Sequence, residues 1–282
     1  MKKTGSVYKS EEGRQKIQSH YREILKCWPV ANRSYSIRAH GIETHIIESG
    51  SRDDPPLLLF HGTSSNSASW MGDVPLWSQQ FRVLAVDIPG EPGLSEDRRL
   101  SVSDGSYADW ILGIYRELSI PKASMVGMSL ESYAALKFAT RVPEKVSKLV
   151  LLTTGGIVPP KAGFLFKALL FMMLGKWGMR RLNRMIYYKT EVPAEVLEFA
   201  AMVMQNFSPN TTEPLRLFRD EELLNLAMPV LFFGGTKDAL IDSEKTGRRL
   251  ETLLPRAEVN ILADTGHAIL GKSEEILRFL TN

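Results

Sequence analysis

The sequence predicts an α/β fold, with a mostly parallel β-sheet, helices on both of its faces and a helical insertion. Two observations carry this prediction. Short runs that are apolar from end to end, such as residues 56–60 (PLLLF) and 229–233 (PVLFF), alternate with segments of helical periodicity. Strands of this kind are typical of parallel sheets that are covered on both faces. The alternation stops over residues 157–225, which are helical in pattern, rich in methionine and without a clear strand.

The chain begins with a predicted helix over residues 7–28, where Ile17, Tyr21 and Ile24 recur at helical spacing. The predicted strands are 34–38, 44–48, 56–60, 81–86, 123–127, 148–152, 229–233 and 257–261. The further predicted helices are 66–80, 103–118, 130–142 and 267–280. This order predicts a core formed by residues 1–156 and 226–282, and a helical cap formed by residues 157–225.

Composition excludes several classes of protein. The 282 residues include 35 Lys and Arg against 32 Asp and Glu, so the net charge of +3 gives no argument for nucleic-acid binding. The one cysteine, Cys27, excludes an intramolecular disulfide and a thiolate metal site. No apolar segment follows the first lysines as a secretory signal requires, and the most apolar run, residues 162–174, is too short to span a bilayer. We expect a cytoplasmic protein without a metal or an organic cofactor.

Three residues that bear catalytic chemistry follow predicted strands. Ser129 lies in Gly-Met-Ser-Leu-Glu between a strand and a helix, Asp238 follows the strand 229–233, and His267 follows the strand 257–261. The carboxyl ends of parallel strands meet at one edge of the sheet, where open α/β sheets bind their ligands. The three side chains are therefore predicted to lie together.

The chain order Ser, Asp, His closely resembles that of the α/β-hydrolase family. The resemblance implies the fold and the chemistry of this family. Four elements agree over residues 35–282: the G-x-S elbow at Ser129, the loop His-Gly-Thr at 61–63, the turn Asp-Ile-Pro-Gly at 87–90, and the final pair of G-x-x-D and Gly-His. In this family Ser129 would attack a carbonyl carbon, His267 would transfer the proton, and Asp238 would hold the imidazole. The backbone N–H groups of Thr63 and Leu130 would bind the oxyanion.

Each assignment has a plainer alternative. Ser129 could be a helix N-cap, and His267 could be a capping or core histidine. Asp242, four residues after Asp238, is a rival for the acidic member. We interpret His61 as a residue that pins its own loop and Asp87 as one that orders its turn.

The sequence departs from the family pattern at Glu131, where the elbow normally ends in glycine or another small residue. A first-turn carboxylate suits the helix dipole, but a negative charge beside a developing oxyanion would raise the barrier to reaction. We therefore predict that Glu131→Gly raises kcat/KM on a simple ester. A second departure, the run Gly-Glu-Pro-Gly-Leu-Ser at 90–95, predicts only a modest change in a loop near the site.

The expected substrate is a small to medium apolar carboxylic ester. Residues 157–190 carry seven basic residues and no acidic one, among many apolar residues. The pattern fits a cap over the core and a lid that lines an acyl pocket; peripheral attachment to anionic lipid is a further interpretation. Two functional alternatives stay open: hydrolysis of carbon–carbon bonds in diketo acids, and a small-molecule receptor without turnover.

Overall fold

The computed structural model describes residues 6–161, 163, 170–171, 174–209 and 213–282. Their core is an eight-stranded sheet in the order β1-β2-β4-β3-β5-β6-β7-β8. Pairing is antiparallel between β1 and β2 and between β2 and β4, and parallel elsewhere. The strands are β1 (Asn32–Ala39), β2 (Ile42–Ser49), β3 (Pro56–Phe60), β4 (Arg82–Val86), β5 (Ala123–Met128), β6 (Val146–Leu152), β7 (Val230–Gly235) and β8 (Glu258–Leu262).

Helices cover both faces of this sheet, which confirms the predicted fold class. The α-helices are α1 (Glu11–Lys26), α2 (Val74–Trp77), α3 (Ser106–Glu117), α4 (Leu130–Arg141), α5 (Gly175–Tyr187), α6 (Ala194–Asn206), α7 (Asp220–Leu224), α8 (Ser243–Leu253) and α9 (Ser273–Thr281). The residues of β3 point alternately to two apolar clusters: Leu58 and Phe60 pack with α3 and α4, whereas Leu57 and Leu59 pack on the other face. Such two-sided burial explains why β3 is a continuous apolar run.

Two predicted helices, residues 66–80 and 267–280, are wrong in part, since α9 (Ser273–Thr281) forms over most of the second. Residues 66–80 form a short 3-10 helix, Ser67–Trp70, and then α2, because Asn66 caps the first piece and Pro75 lies in the first turn of the second. Residues 267–272 are not helical, because the N–H groups of His267 and Ala268 bond to Ile186 O and Gly271 has a φ of 68°. Helix α8 was not predicted at all.

The amino-terminal helix α1 packs on the molecule itself. Its buried Tyr21 donates a hydrogen bond to Asp87 Oδ1 at 2.9 Å, on the loop that follows β4. Further contacts reach α6: the ring of His20 on α1 stacks on the Phe199 ring with centroids 5.6 Å apart, and Lys9 N–H, just before α1, donates to Asn206 O at 2.9 Å. Helix α1 thus joins the core loop to the insertion.

The insertion between β6 and β7 contains α5, α6 and α7, and no strand is present among its described residues. Most of the apolar run 162–174, including Lys167, lies outside the described residues. Trp177 on α5 is 52% exposed, and the Arg181 guanidinium lies 5.2 Å from the centroid of its ring. Among the described residues, no helix has both the length and the apolar character needed to cross a bilayer.

Candidate active site

Ser129 lies in a sharp turn between β5 and α4. Its φ of 58° and ψ of −119° are unusual for a residue with a side chain, and its N–H donates to Leu152 O at 2.8 Å. Gly127 permits the turn, because a Cβ at that position would lie 2.7 Å from Ser132 Cα. Backbone strain of this kind costs about 1–3 kcal/mol and persists only where the surrounding structure holds it. The turn thus has the features of a nucleophile elbow.

The three predicted residues meet at the carboxyl edge of the sheet. Ser129 Oγ lies 2.8 Å from His267 Nε2, and His267 Nδ1 lies 2.8 Å from Asp238 Oδ2. Asp238 is buried, with 1% of its surface exposed. These partners fit one tautomer, in which Nδ1–H donates to the carboxylate and Nε2 accepts the serine proton. The arrangement can remove a proton from Ser129 and stabilise the imidazolium that results.

The carboxylate of Asp238 is held by its own turn. Its Oδ1 accepts the N–H groups of Leu240 at 2.7 Å and Ile241 at 3.1 Å, which leaves Oδ2 for the imidazole. Its rival Asp242 instead caps α8, where its Oδ1 accepts Lys245 N–H at 3.1 Å. Of the two aspartates, the structure brings Asp238 to His267 and places Asp242 at a helix end.

The backbone of His267 is tied to the insertion. Its N–H donates to Ile186 O at 2.7 Å, and Ala268 N–H donates to the same oxygen at 3.2 Å. A Cβ on Gly266 would lie 2.5 Å from Ile186 O, so this contact requires glycine. The carboxyl-terminal end of α5 therefore fixes the loop that carries the imidazole.

Two backbone N–H groups, one in the elbow and one in the loop after β3, have no acceptor among the described residues. Within the described ranges, neither Leu130 N–H, at the start of α4, nor Thr63 N–H, after β3, has a hydrogen-bond acceptor. A helix start leaves its first N–H groups free. The two loops are close, because a Cβ on Gly62 would lie 3.6 Å from the Met128 side chain. Free donors near a nucleophile can bind a developing oxyanion.

The loop after β3 is hydrogen-bonded to the loop after β4. Ile88 N–H donates to His61 Nε2 at 3.0 Å, so His61 joins the two loops. Asp87 Oδ1 accepts Ser67 N–H at 3.0 Å and Ser67 Oγ–H at 2.7 Å, and its Oδ2 accepts Leu94 N–H at 2.9 Å. Both residues thus order the loops around the site.

Comparisons with known proteins identify the family. The alpha/beta hydrolase fold family matches residues 55–204. The chain is 30% identical over 270 residues to the uncharacterized carboxylesterase nap of Bacillus subtilis, covering 92% of this chain and 90% of that protein. The chain belongs to the α/β-hydrolase family.

A second relative and a solved structure, both from Bacillus subtilis, are also similar over most of the chain. Carboxylesterase YbfK is 26% identical over 260 residues, covering 88% of this chain and 86% of its own length. The crystal structure of naproxen esterase, carboxylesterase NP, superimposes with a TM-score of 0.82 at 28% identity, covering 96% of this chain and 99% of that one. The fold extends over nearly the whole sequence.

Glu131 occupies the place where the elbow of an α/β-hydrolase normally has a small residue. It is a buried carboxyl group and not a solvated first-turn carboxylate. It is completely buried, and neither of its oxygens has a hydrogen-bond partner in the described part of the chain. Burial raises the pKa of Glu131 well above its usual range, and the neighbouring Glu91 carboxyl raises it further. This shift favours the neutral carboxyl group, which places no negative charge beside the oxyanion. The prediction that Glu131→Gly raises kcat/KM stays untested and now depends on crowding alone.

The burial of Glu131 predicts a pH-dependent stability difference. Glu131→Gln should raise the free energy of unfolding above that of the wild type, and the gain should grow as the pH rises above about 4.5. The unfolded glutamate loses its proton near its usual pKa while the folded one keeps it, so wild-type stability falls by about 1.4 kcal/mol per pH unit until the folded pKa is reached. Glu91 and Tyr107, the titratable groups that face Glu131, are unchanged in the variant.

Urea unfolding in unit steps from about pH 5 to about pH 8 measures this difference. Glu195→Gln is the matched control, because Glu195 is an exposed first-turn glutamate on α6. Its difference from the wild type should stay constant over the same range. A constant difference for Glu131→Gln as well would contradict a neutral, buried Glu131.

The contact of Glu91 with the loop after β3 was not predicted from the sequence; Glu91 lies in the departure at residues 90–95. Glu91 is 5% exposed, and its Oε2 accepts Ser64 N–H at 2.6 Å, on the loop that carries Thr63. The acidic residue between Gly90 and Pro92 was the available signal for such a contact. Its partner, Ser64, lies 27 positions earlier in the chain. Only the fold brings the two loops together.

Proposed function

We propose that this α/β-hydrolase is a serine carboxylesterase acting on a small to medium apolar ester. Ser129 is the nucleophile, His267 the general base and acid, and Asp238 the residue that orients the imidazole. The observation that carries this assignment is the continuous chain from Ser129 Oγ through His267 to Asp238, with two distances of 2.8 Å. The carboxylesterase names of the similar proteins favour ester hydrolysis over cleavage of carbon–carbon bonds.

The reaction proceeds in two steps. Ser129 Oγ attacks the ester carbonyl as its proton passes to His267 Nε2, and the N–H groups of Thr63 and Leu130 bind the oxyanion. The protonated imidazole then donates its proton to the departing alcohol, which leaves an acyl-enzyme on Ser129. In the second step His267 takes a proton from water, the hydroxide attacks the acyl carbonyl, and the carboxylic acid departs as Ser129 regains its proton.

Residues 157–225 are proposed as the cap, with residues 1–156 and 226–282 as the core. The helices α5, α6 and α7 between two neighbouring strands support this division. A cap that contacts the His267 loop through Ile186 is placed to line an acyl pocket. A cytoplasmic location is part of the proposal, supported by a single cysteine, Cys27, which is exposed and cannot form an intramolecular disulfide.

The test combines covalent labelling with turnover. The protein is treated with a fluorophosphonate, and the modified peptide is identified by mass spectrometry. In parallel, kcat and KM are measured for p-nitrophenyl esters of rising acyl length. We expect one label, on Ser129, and turnover that passes through a maximum at the acyl length that fits the pocket.

Each other outcome decides against part of the proposal. Labelling of Ser129 without turnover of any ester would favour a receptor or a carbon–carbon bond hydrolase over an esterase. Absence of both signals in folded protein would mean that Ser129 is not activated, and the triad assignment would be wrong.

A further inference from the structure

A buried carboxyl group touches the loop that carries the proposed oxyanion donor. Ser64 N–H donates to Glu91 Oε2 at 2.6 Å, and Ser64 directly follows Thr63. Glu91 is 5% exposed, so water does not compete for this hydrogen bond. The orientation of the Ser64 peptide unit is thus coupled to the side chain of Glu91.

The Ser64 backbone needs such support. Its φ is 61°, in the left-handed region that residues with a Cβ rarely adopt. A strained residue of this kind persists only where its surroundings determine it. The acceptor on Glu91 is bonded to the N–H of the strained residue itself, and so it is placed to hold this conformation.

The position of Glu91 is itself fixed by its own loop. Glu91 N–H donates to Ile88 O at 3.1 Å, and Gly93 N–H donates to Glu91 O at 2.8 Å. Gly90, with a φ of 76°, has no room for a side chain, because a Cβ there would lie 2.8 Å from the backbone nitrogen of Arg99. Glu91 is therefore a rigid anchor for the loop at Ser64.

We propose that Glu91 is a positioning residue for ester hydrolysis: by accepting Ser64 N–H, it holds the N–H of the adjacent Thr63 in the direction of the oxyanion. This inference rests on the proposed function, and in particular on Thr63 as an oxyanion donor. Glu91 itself touches neither the substrate nor the reacting atoms.

The acceptor does not need a charge. Burial raises the pKa of Glu91 to about 8, although Ser64 N–H and the nearby Arg99 lower it. At neutral pH the carboxyl is therefore largely protonated, and an uncharged oxygen accepts the hydrogen bond. A glutamine has the same shape and the same acceptor, whereas a methionine of similar length has no comparable oxygen.

The experiment compares Glu91→Gln with Glu91→Met. For each variant, kcat and KM are measured on the best p-nitrophenyl ester. The affinity for a trifluoromethyl ketone of the same acyl length is measured too, because this inhibitor forms a tetrahedral oxyanion on Ser129. We expect Glu91→Gln to stay close to the wild type, and Glu91→Met to lose about 10- to 100-fold in kcat with little change in KM, since misplacement by about 1 Å costs rate on this scale. Inhibitor affinity should fall in parallel with kcat/KM.

Glu96→Ala is the matched control. Glu96 lies on the same loop, and its Oε2 also accepts a backbone N–H, that of Glu43 at 3.0 Å, but this bond leads to β2 and not to Ser64. We expect its kcat and its inhibitor affinity to match the wild type. Thermal unfolding of every variant separates loss of fold from loss of rate, and Glu91→Leu replaces Glu91→Met under the same criteria if the latter does not fold.

The inference is overturned if Glu91→Met and Glu91→Gln have equal kcat, if the loss appears mainly in KM, or if Glu96→Ala loses as much kcat as Glu91→Met. A wild type that neither labels at Ser129 nor turns over esters would instead contradict the proposed function. The two failures are thereby distinguished in one set of measurements.

Discussion

Ser129→Ala should lower kcat on an ester by about 10⁶-fold, which is the scale of loss when a serine nucleophile is removed from an assembled triad. The variant has no hydroxyl to form the acyl-enzyme, and water must attack the bound ester without covalent catalysis. The residual rate then comes from substrate binding and from the oxyanion donors alone. Fluorophosphonate labelling should disappear with the turnover.

Ser132→Ala is the control for this variant. Ser132 lies in the first turn of α4, its Oγ is buried without a hydrogen-bond partner in the described part of the chain, and it takes no part in the triad. Removing that hydroxyl should leave labelling and kcat unchanged and should not lower stability. If Ser129→Ala kept more than about one per cent of the rate, the covalent mechanism would be wrong, because water alone cannot sustain it.

Asp238→Asn should lower kcat by about 10⁴-fold at neutral pH while the fold is retained. The asparagine oxygen can still accept Leu240 N–H and Ile241 N–H, so its amide nitrogen would face His267 Nδ1. Because an amide nitrogen donates, Nδ1 must then accept, and the proton moves to Nε2. An Nε2 that carries a proton cannot take one from Ser129.

Asp242→Asn tests whether this effect is specific to Asp238. Asp242 caps α8 through Lys245 N–H, and asparagine is an equally good N-cap. Its kcat should stay within about threefold of the wild type, because the substitution leaves the histidine tautomer unchanged. A large loss at Asp242 with a small one at Asp238 would reverse the assignment of the acidic residue.

The sequence predicted which three side chains would meet, because each follows a local signal. Ser129, Asp238 and His267 each lie in the segment that follows a strand, and parallel strands bring such positions to one edge. The choice between Asp238 and Asp242 depended on spacing, and the turn that directs Oδ2 to the imidazole explains why the nearer residue fits. Strand β3 was predicted residue for residue, since burial on both faces makes its limits sharp.

What the sequence could not provide depends on contacts between distant segments. The environment of Glu131 is set by Glu91 and Tyr107, which are remote in sequence, so a helix-dipole argument from the first turn gave the wrong surroundings. The sequence pattern of the amino-terminal helix did not indicate which segment it packs against. The hydrogen bond from Tyr21 to Asp87 forms only in the folded chain. Residues 267–272 are likewise not helical because of a distant segment: the N–H groups of His267 and Ala268 donate to Ile186 O.

The shared carbonyl of Ile186 also limits how the enzyme can open. Any motion that lifts the carboxyl-terminal end of α5 from the core breaks the hydrogen bonds of both His267 N–H and Ala268 N–H. The imidazole would lose its alignment in the same step. A conformation in which the carboxyl-terminal end of α5 is lifted would therefore be inactive. The position of the α5 end and the alignment of the proton acceptor are therefore linked through one carbonyl oxygen.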